Sequence, residues 1–280
     1  MIASAGDLVG TARAAGHGVC AFNVIGIEHA EAIVAGSLDA GIPVILQLSE
    51  NCVRFHGALA PIAAACLAIA DAAELPIAVH LDHATSAGLV REAVDLGIGS
   101  VMFDASAEDY AANVAATAEV AAWCHDAGAW VEAELGEVGG KDGVHAPGAR
   151  TDPDEAAAYV AATGVDALAV AVGSSHAMLT RDAALDLELI KRLAATVPVP
   201  LVLHGSSGVP DEEIRRAVAV GMTKINISTH LVSVFTAAVR EMLGRRPELV
   251  DSRQYLGPAR DAVAAEAARL LKVLTAPVPA

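Results

Sequence analysis

Short apolar runs alternate along this chain with longer amphipathic stretches from start to finish, the pattern of repeated strand-helix units that build a parallel sheet. The short runs lie at 19–23, 44–48, 77–81, 100–104, 130–135, 167–172, 201–203 and 224–227, which predicts eight strands. Amphipathic stretches at 28–40, 59–73, 87–96, 108–127, 154–163, 187–195, 211–220 and 231–243 predict helices. Gly41, Gly97, Gly128, Gly164 and Gly221 follow the helix ends, where a left-handed residue closes the last turn. Pro43, Pro76 and Pro200 stand just before strands, where a missing N–H breaks no helix. Eight strands favour closure into a (β/α)8 TIM barrel, because an open nucleotide-binding sheet would want a G-x-G-x-x-G or P-loop turn and none occurs. The stretch 258–273 predicts one extra C-terminal helix.

Length is compatible with that architecture. The chain has 280 residues, and barrels of this kind commonly reach about 250 as one unit. No linker, repeat or low-complexity segment divides it, so one domain over 1–280 is expected. Apolar residues make up 54% but aromatics only 3%, so the core must be built from Ala, Val, Leu and Ile. Runs such as 58–70 and 77–81 are too short to cross a bilayer, and the first residues lack a basic region leading into an apolar run. No membrane span and a cytoplasmic location are therefore expected. Cys20, Cys52, Cys66 and Cys124 lie far apart with no C-x-x-C pair, which argues against a disulfide framework and a thiolate zinc site. A formal charge of −16 repels nucleic acid and anionic lipid. An anionic ligand must then be held by local groups: a metal, backbone N–H groups at helix starts, or a few placed cations.

In such a barrel the working residues sit where strands end and βα loops begin. His83, His176 and His204 follow the third, sixth and seventh predicted strands. Any one of them alone reads as an ordinary polar loop residue. Three imidazoles converging on one mouth suit Zn²⁺ or a related divalent ion. Asp82 and Asp104 end the third and fourth strands, and Glu132 and Glu134 share one face of the fifth. Buried carboxylates need partners; a metal, a cation or salt bridges inside the mouth would each serve for Glu132. The Gly/Ser turns at 203–208 and 224–229 follow the last two strands, where this fold often holds a phosphate, although a Gly-Ser turn is more often just a turn. Hydroxyls of Ser207 and Thr229 could donate there.

Several segments in one order then resemble a known family: Ala21-Phe22-Asn23-Val24, His80-Leu81-Asp82-His83, Val131-Glu132-Ala133-Glu134-Leu135-Gly136, Leu203-His204-Gly205, Lys224-Ile225-Asn226 and Tyr255-Leu256-Gly257-Pro258-Ala259-Arg260. They are similar to the class II fructose-bisphosphate and tagatose-bisphosphate aldolases over nearly the whole chain. The resemblance implies reversible, metal-dependent cleavage of such a ketose bisphosphate to dihydroxyacetone phosphate and glyceraldehyde 3-phosphate. It implies that His83, His176 and His204 hold Zn²⁺, or another divalent ion such as Co²⁺, and that Asp82 is the proton donor and acceptor. Asp104 and Glu134 would serve a second, looser metal position. Gly205, Ser207, Asn226 and Thr229 would hold the dihydroxyacetone phosphate half, while Asn23 and Ser49 would line the other half. A monovalent cation beside the phosphate and a homodimer or homotetramer belong to the same picture.

The chain departs from the family in places. Ala177 follows His176 where Gly is common, the turn after His204 reads Gly-Ser-Ser-Gly, and His230 stands where an acidic residue is usual. The loop 139–150 is short, leaving Asp142 as the candidate for proton exchange at the enediolate carbon, with Glu137 and His145 as substitutes. A class I route would need a lysine Schiff base, and of the four lysines only Lys224 lies in a predicted barrel strand. Two other readings stay open: the same metal barrel acting on another substrate or by hydrolysis, and a non-catalytic barrel that binds a phosphorylated metabolite.

Overall fold

The computed structural model describes residues 1–136, 150–176 and 178–275. Eight parallel strands close a barrel in sequence order: β1 (Val19–Asn23), β2 (Val44–Ser49), β3 (Ile77–Ala84), β4 (Ser100–Phe103), β5 (Trp130–Glu134), β6 (Ala167–Ala169), β7 (Leu201–Leu203) and β8 (Met222–Ile227). β8 returns to pair with β1, matching Val19 to Lys224 and Ala21 to Asn226. Around the barrel lie α1 (Ala5–Ala15), α2 (Ile27–Ala40), α3 (Glu50–His56), α4 (Ala60–Ala72), α5 (Ala87–Asp95), α6 (Tyr110–Asp126), α7 (Pro153–Thr163), α8 (Leu187–Thr196), α9 (Asp211–Ala219), α10 (Thr229–Arg245) and α11 (Arg253–Thr275). No single helix among the described residues is long and apolar enough to cross a membrane.

Strand alternation sorts the side chains into two cores. Outward residues such as Phe22, Leu46, Leu81, Val131 and Ile225 meet the helices in one large apolar layer. Inward residues form two small clusters at the N-terminal end: Val19, Ala21, Ile45 and Ala78 in one, Met102, Ala167, Ala169 and Val202 in the other. Ala5 and Val9 of α1 pack into the first, so α1 plugs that end of the barrel. Above them the interior turns polar.

Two helices are absent from the sequence expectation. α1 buries only Ala5 and Val9 fully, too narrow an apolar face to register as amphipathic; Ser4 caps it by accepting from the Asp7 amide. α3 is two turns long, capped by Ser49 and stopped at Gly57 in the left-handed region. β6 is shorter than the expected 167–172 because the Ala171 backbone is taken by Thr151, whose N–H donates to it at 3.0 Å and whose hydroxyl accepts from it at 2.8 Å. α11 starts before Pro258 rather than at it. This tail helix packs closely on α2 at Gly36, where a methyl group would fall 2.5 Å from the Ala264 carbonyl oxygen. All four cysteines are buried and unbridged.

Candidate active site and metal centre

His83 lies near the end of β3 with φ 52°, the one described non-glycine residue in the left-handed region. Such a backbone costs on the order of 1–2 kcal/mol outside glycine, and β3 slips register against β4 at this point, between Leu81 and Ala84. His204 follows β7, and His176 sits in the loop beyond β6. Their rings lie 4.5 Å (His83 to His204), 5.3 Å (His83 to His176) and 5.8 Å (His176 to His204) apart, centre to centre. One ring nitrogen from each falls within 4.8 Å of the others. The three imidazoles predicted from separate strands therefore meet.

That donor set fits a divalent ion. Burial, and next the neighbouring His83, drives the His204 pKa well below the ordinary histidine value, so its ring is neutral, as a ligand must be. His83 also belongs to a second trio with Asp104 and Glu134. Its Nδ1 contacts Asp104 Oδ2 at 2.8 Å, and Glu134 Oε2 lies 4.0 Å from His204 Nδ1. Asp104 is itself steadied by Ser106, whose hydroxyl donates to Oδ1 at 2.6 Å.

Asp82 stands beside this cluster, buried on β3. Burial alone would raise its pKa, but His83 first, and Lys224 with it, outweigh it and hold the carboxyl below the usual range. Asn23 Nδ2 donates to Oδ2 at 3.4 Å, whereas Oδ1 accepts no hydrogen bond from the described residues. An anionic carboxylate with one open oxygen can take a proton from a bound hydroxyl.

Below it runs a chain of buried polar groups that the sequence could not order. Lys224 Nζ donates to Glu132 Oε2 at 2.7 Å and to Gln47 Oε1 at 3.0 Å, and Gln47 Nε2 donates to Asn23 Oδ1 at 3.2 Å. Glu132 Oε1 lies 2.9 Å from His204 Nε2. So Glu132 is satisfied by a cation and an imidazole inside the barrel, one of the outcomes left open for it. Lys224, with its protons committed to two acceptors and no exposed surface, is poorly placed for a Schiff base.

A cavity of about 310 Å³ opens above these groups. Asn23, Ser49, Asp82, His83, Asp104, His176, His204, Gly205, Ser207, Asn226 and Thr229 all line it, so the predicted substrate residues gather at one mouth. Gly205 has φ 67°, and a methyl there would fall 2.6 Å from the Ser175 carbonyl carbon, so the turn needs glycine. Ser207 Oγ accepts from the Ser228 and His230 amides, each at 3.2 Å, tying the turns after β7 and β8 together and leaving its own proton to donate. Ser49 has a structural duty as well, capping α3 through the Cys52 amide at 3.2 Å.

Sequence reasoning missed Arg54, which extends from α3 and is the only Lys or Arg among the described residues lining the cavity. Glu50 holds it at 2.5 Å and reaches the Thr85 amide at 2.6 Å with its other oxygen. The signal was available in Ser49 and Gly57, which bracket a helix. Asp142, with Glu137 and His145, lies outside the described residues, as does Ala177.

Comparison with known proteins identifies the family. Residues 3–277 match the family described as fructose-bisphosphate aldolase class-II. A fructose-bisphosphate aldolase of Thermus caldophilus is 39% identical, with 94% of each chain covered. One from Geobacillus stearothermophilus is 38% identical over 87% of this chain and 86% of its own. Among solved structures, the YdjI aldolase of Escherichia coli K12 superposes with a TM-score of 0.85 at 31% identity, covering 98% of both chains.

Proposed function

Because the chain belongs to the class II fructose-bisphosphate aldolase family, whose members are generally metal-dependent lyases, we propose that it cleaves fructose 1,6-bisphosphate reversibly to dihydroxyacetone phosphate and glyceraldehyde 3-phosphate. One observation carries the reading: three imidazoles meet within 4.8 Å beside a buried carboxylate that has an open oxygen. His83, His176 and His204 would hold Zn²⁺ or Co²⁺, with Asp104 and Glu134 offering a second position through His83. When bound, the ion supplies positive charge to offset the enediolate that carbon-carbon cleavage leaves on the ketone fragment, a contribution of several kcal/mol.

The chain's own groups do the rest. Asp82 Oδ1 takes the proton of the C4 hydroxyl in cleavage and returns it in condensation, while Asn23 keeps the other oxygen in place. Gly205, Ser207, Asn226 and Thr229 cradle the phosphate of the dihydroxyacetone half, with the Ser207 hydroxyl aimed by the two amides it accepts. Ser49 and Arg54 meet the other half, and Arg54 supplies a positive charge for the second phosphate in a mouth otherwise edged by Glu50, Asp82 and Asp104. Asp142 exchanges the proton at the enediolate carbon. A monovalent cation beside the first phosphate, assembly into dimers or tetramers, and a cytoplasmic location, in keeping with four unbridged thiols, complete the proposal.

The test is product analysis of the purified, metal-loaded protein with fructose and tagatose bisphosphates. Formation of both triose phosphates from fructose bisphosphate is expected, and preference for the tagatose isomer would reassign the substrate. No cleavage of either by a metal-loaded protein would overturn the proposal.

A further inference from the structure

We infer that the buried Lys224–Glu132 pair is a positioning device that fixes which nitrogen of His204 faces the metal; the inference rests on the proposed function and deepens it. An imidazole can carry its single proton on either nitrogen, and only the bare one can bind an ion. His204 Nε2 points down into the barrel, 2.9 Å from Glu132 Oε1. Its Nδ1 points up into the histidine cluster, 2.9 Å from His83 Nε2. A carboxylate cannot donate, so the contact with Glu132 requires the proton on Nε2 and leaves Nδ1 bare toward the cluster; the Asn226 side-chain amide, 3.2 Å from the same Nε2, fits this form when its otherwise unpartnered oxygen rather than its NH2 faces the ring.

Glu132 can do this only if it is held and remains a carboxylate. It has no exposed surface, and an isolated charge there would be strongly disfavoured. Lys224 holds its other oxygen at 2.7 Å and is itself fixed by Gln47 at 3.0 Å. His80 does not compete for the pair. Its Nδ1 is engaged with Ser100 Oγ at 2.6 Å, while its Nε2 stays 3.9 Å from Glu132. The same Gln47 orients Asn23, which donates to Asp82, so one buried ammonium sets the posture of both the ligand and the base. Neither Glu132 nor Lys224 lines the cavity; both act through His204 and Gln47.

Removing one partner alone would strand the other's charge in the barrel and risk unfolding. Two double variants avoid this. Glu132→Met with Lys224→Met removes both charges and the acceptor under His204. Glu132→Gln with Lys224→Met removes both charges but keeps a carbonyl oxygen for the Nε2 proton. Zn²⁺ affinity is measured by competition with a chromophoric chelator, and the ring tautomer of the metal-free proteins by ¹⁵N NMR of His204. The expected result is a loss of about 10- to 100-fold in affinity for the Met/Met protein, with a mixed tautomer. The Gln/Met protein should stay within about threefold of the parent and keep the Nε2–H form. Equal losses in the two variants, or normal affinity in the Met/Met protein, would overturn the inference while leaving the aldolase proposal intact. A parent protein that binds no divalent ion would overturn both.

Discussion

Asn23 and Asp82 are joined by a single hydrogen bond at 3.4 Å that occupies Oδ2 of the carboxylate and leaves Oδ1 without a hydrogen bond from the described residues. A carboxylate held on one side only is fixed in aim and still able to act as the base of the proposed reaction. Asp82→Ala should therefore lower kcat by about 10²- to 10⁴-fold while bound metal, measured by elemental analysis, stays near the parent level. A parallel loss of metal would recast Asp82 as a ligand.

Arg54 offers the one positive charge on the described lining of an otherwise acidic mouth. In Arg54→Ala, KM for the ketose bisphosphate should rise by about 10- to 100-fold, the loss of roughly 1.5–3 kcal/mol that a charge-assisted contact provides. Cleavage of a ketose 1-phosphate should barely change. If both substrates suffer equally, Arg54 supports the loop rather than the second phosphate.

Metal removal gives the most direct check of the histidine cluster. Excess chelator should abolish cleavage, and added Zn²⁺ or Co²⁺ should restore it; full activity in chelator rejects the metal assignment. Borohydride reduction in the presence of substrate should leave Lys224 unmodified, since its ammonium is spoken for by Glu132 and Gln47.

Acid should loosen the tail helix first. Glu266 on α11 contacts His230 Nε2 at 2.6 Å and takes two bonds from Arg269 at 2.8 Å, and Arg269 also pairs with Asp211. Burial would raise the Glu266 pKa, but Arg269 and His230 outweigh it and hold it down to about 2, from an ordinary 4.5. A carboxylate depressed on folding adds stability that is fully present above about pH 4.5 and is lost as pH falls toward 2. Partial exposure reduces the gain to roughly 1–2 kcal/mol. Urea titrations between pH 5 and 2 should show Glu266→Gln losing less stability with acid than the parent, and parallel slopes would exclude the mechanism.

Gly36→Ala tests the packing of the same helix from the other side. Its methyl would meet the Ala264 carbonyl oxygen at 2.5 Å and Ala267 Cβ at 2.9 Å, so α2 and α11 must part. A loss of about 1–3 kcal/mol is expected, read as a lowered thermal midpoint with the catalytic constants little altered. An unchanged midpoint would show that the two helices separate without penalty.

Much of this architecture was legible because apolar periodicity reports which face of an element is buried. The strand positions and the meeting of His83, His176 and His204 at one rim follow from that signal and from where strands end. It says nothing about which inward groups touch. The pairing of Glu132 with Lys224 joins β5 to β8 across the barrel, and no spacing along the chain encodes a cross-barrel distance. Likewise α1 and α3 hide because short helices bury too few residues to show a period, and Arg54 hid with α3. Thr151 shortens β6 by borrowing a backbone from a distant segment, a tertiary event invisible to local composition.

The seal that α1 makes beneath the barrel has a kinetic consequence. With the floor closed, both triose fragments must leave by the doorway through which the sugar arrived. On the proposed function, the fragment held at the histidines would depart after the one nearer the solvent. Release would then be sequential, and the inner product should behave as the tighter competitor of fresh substrate.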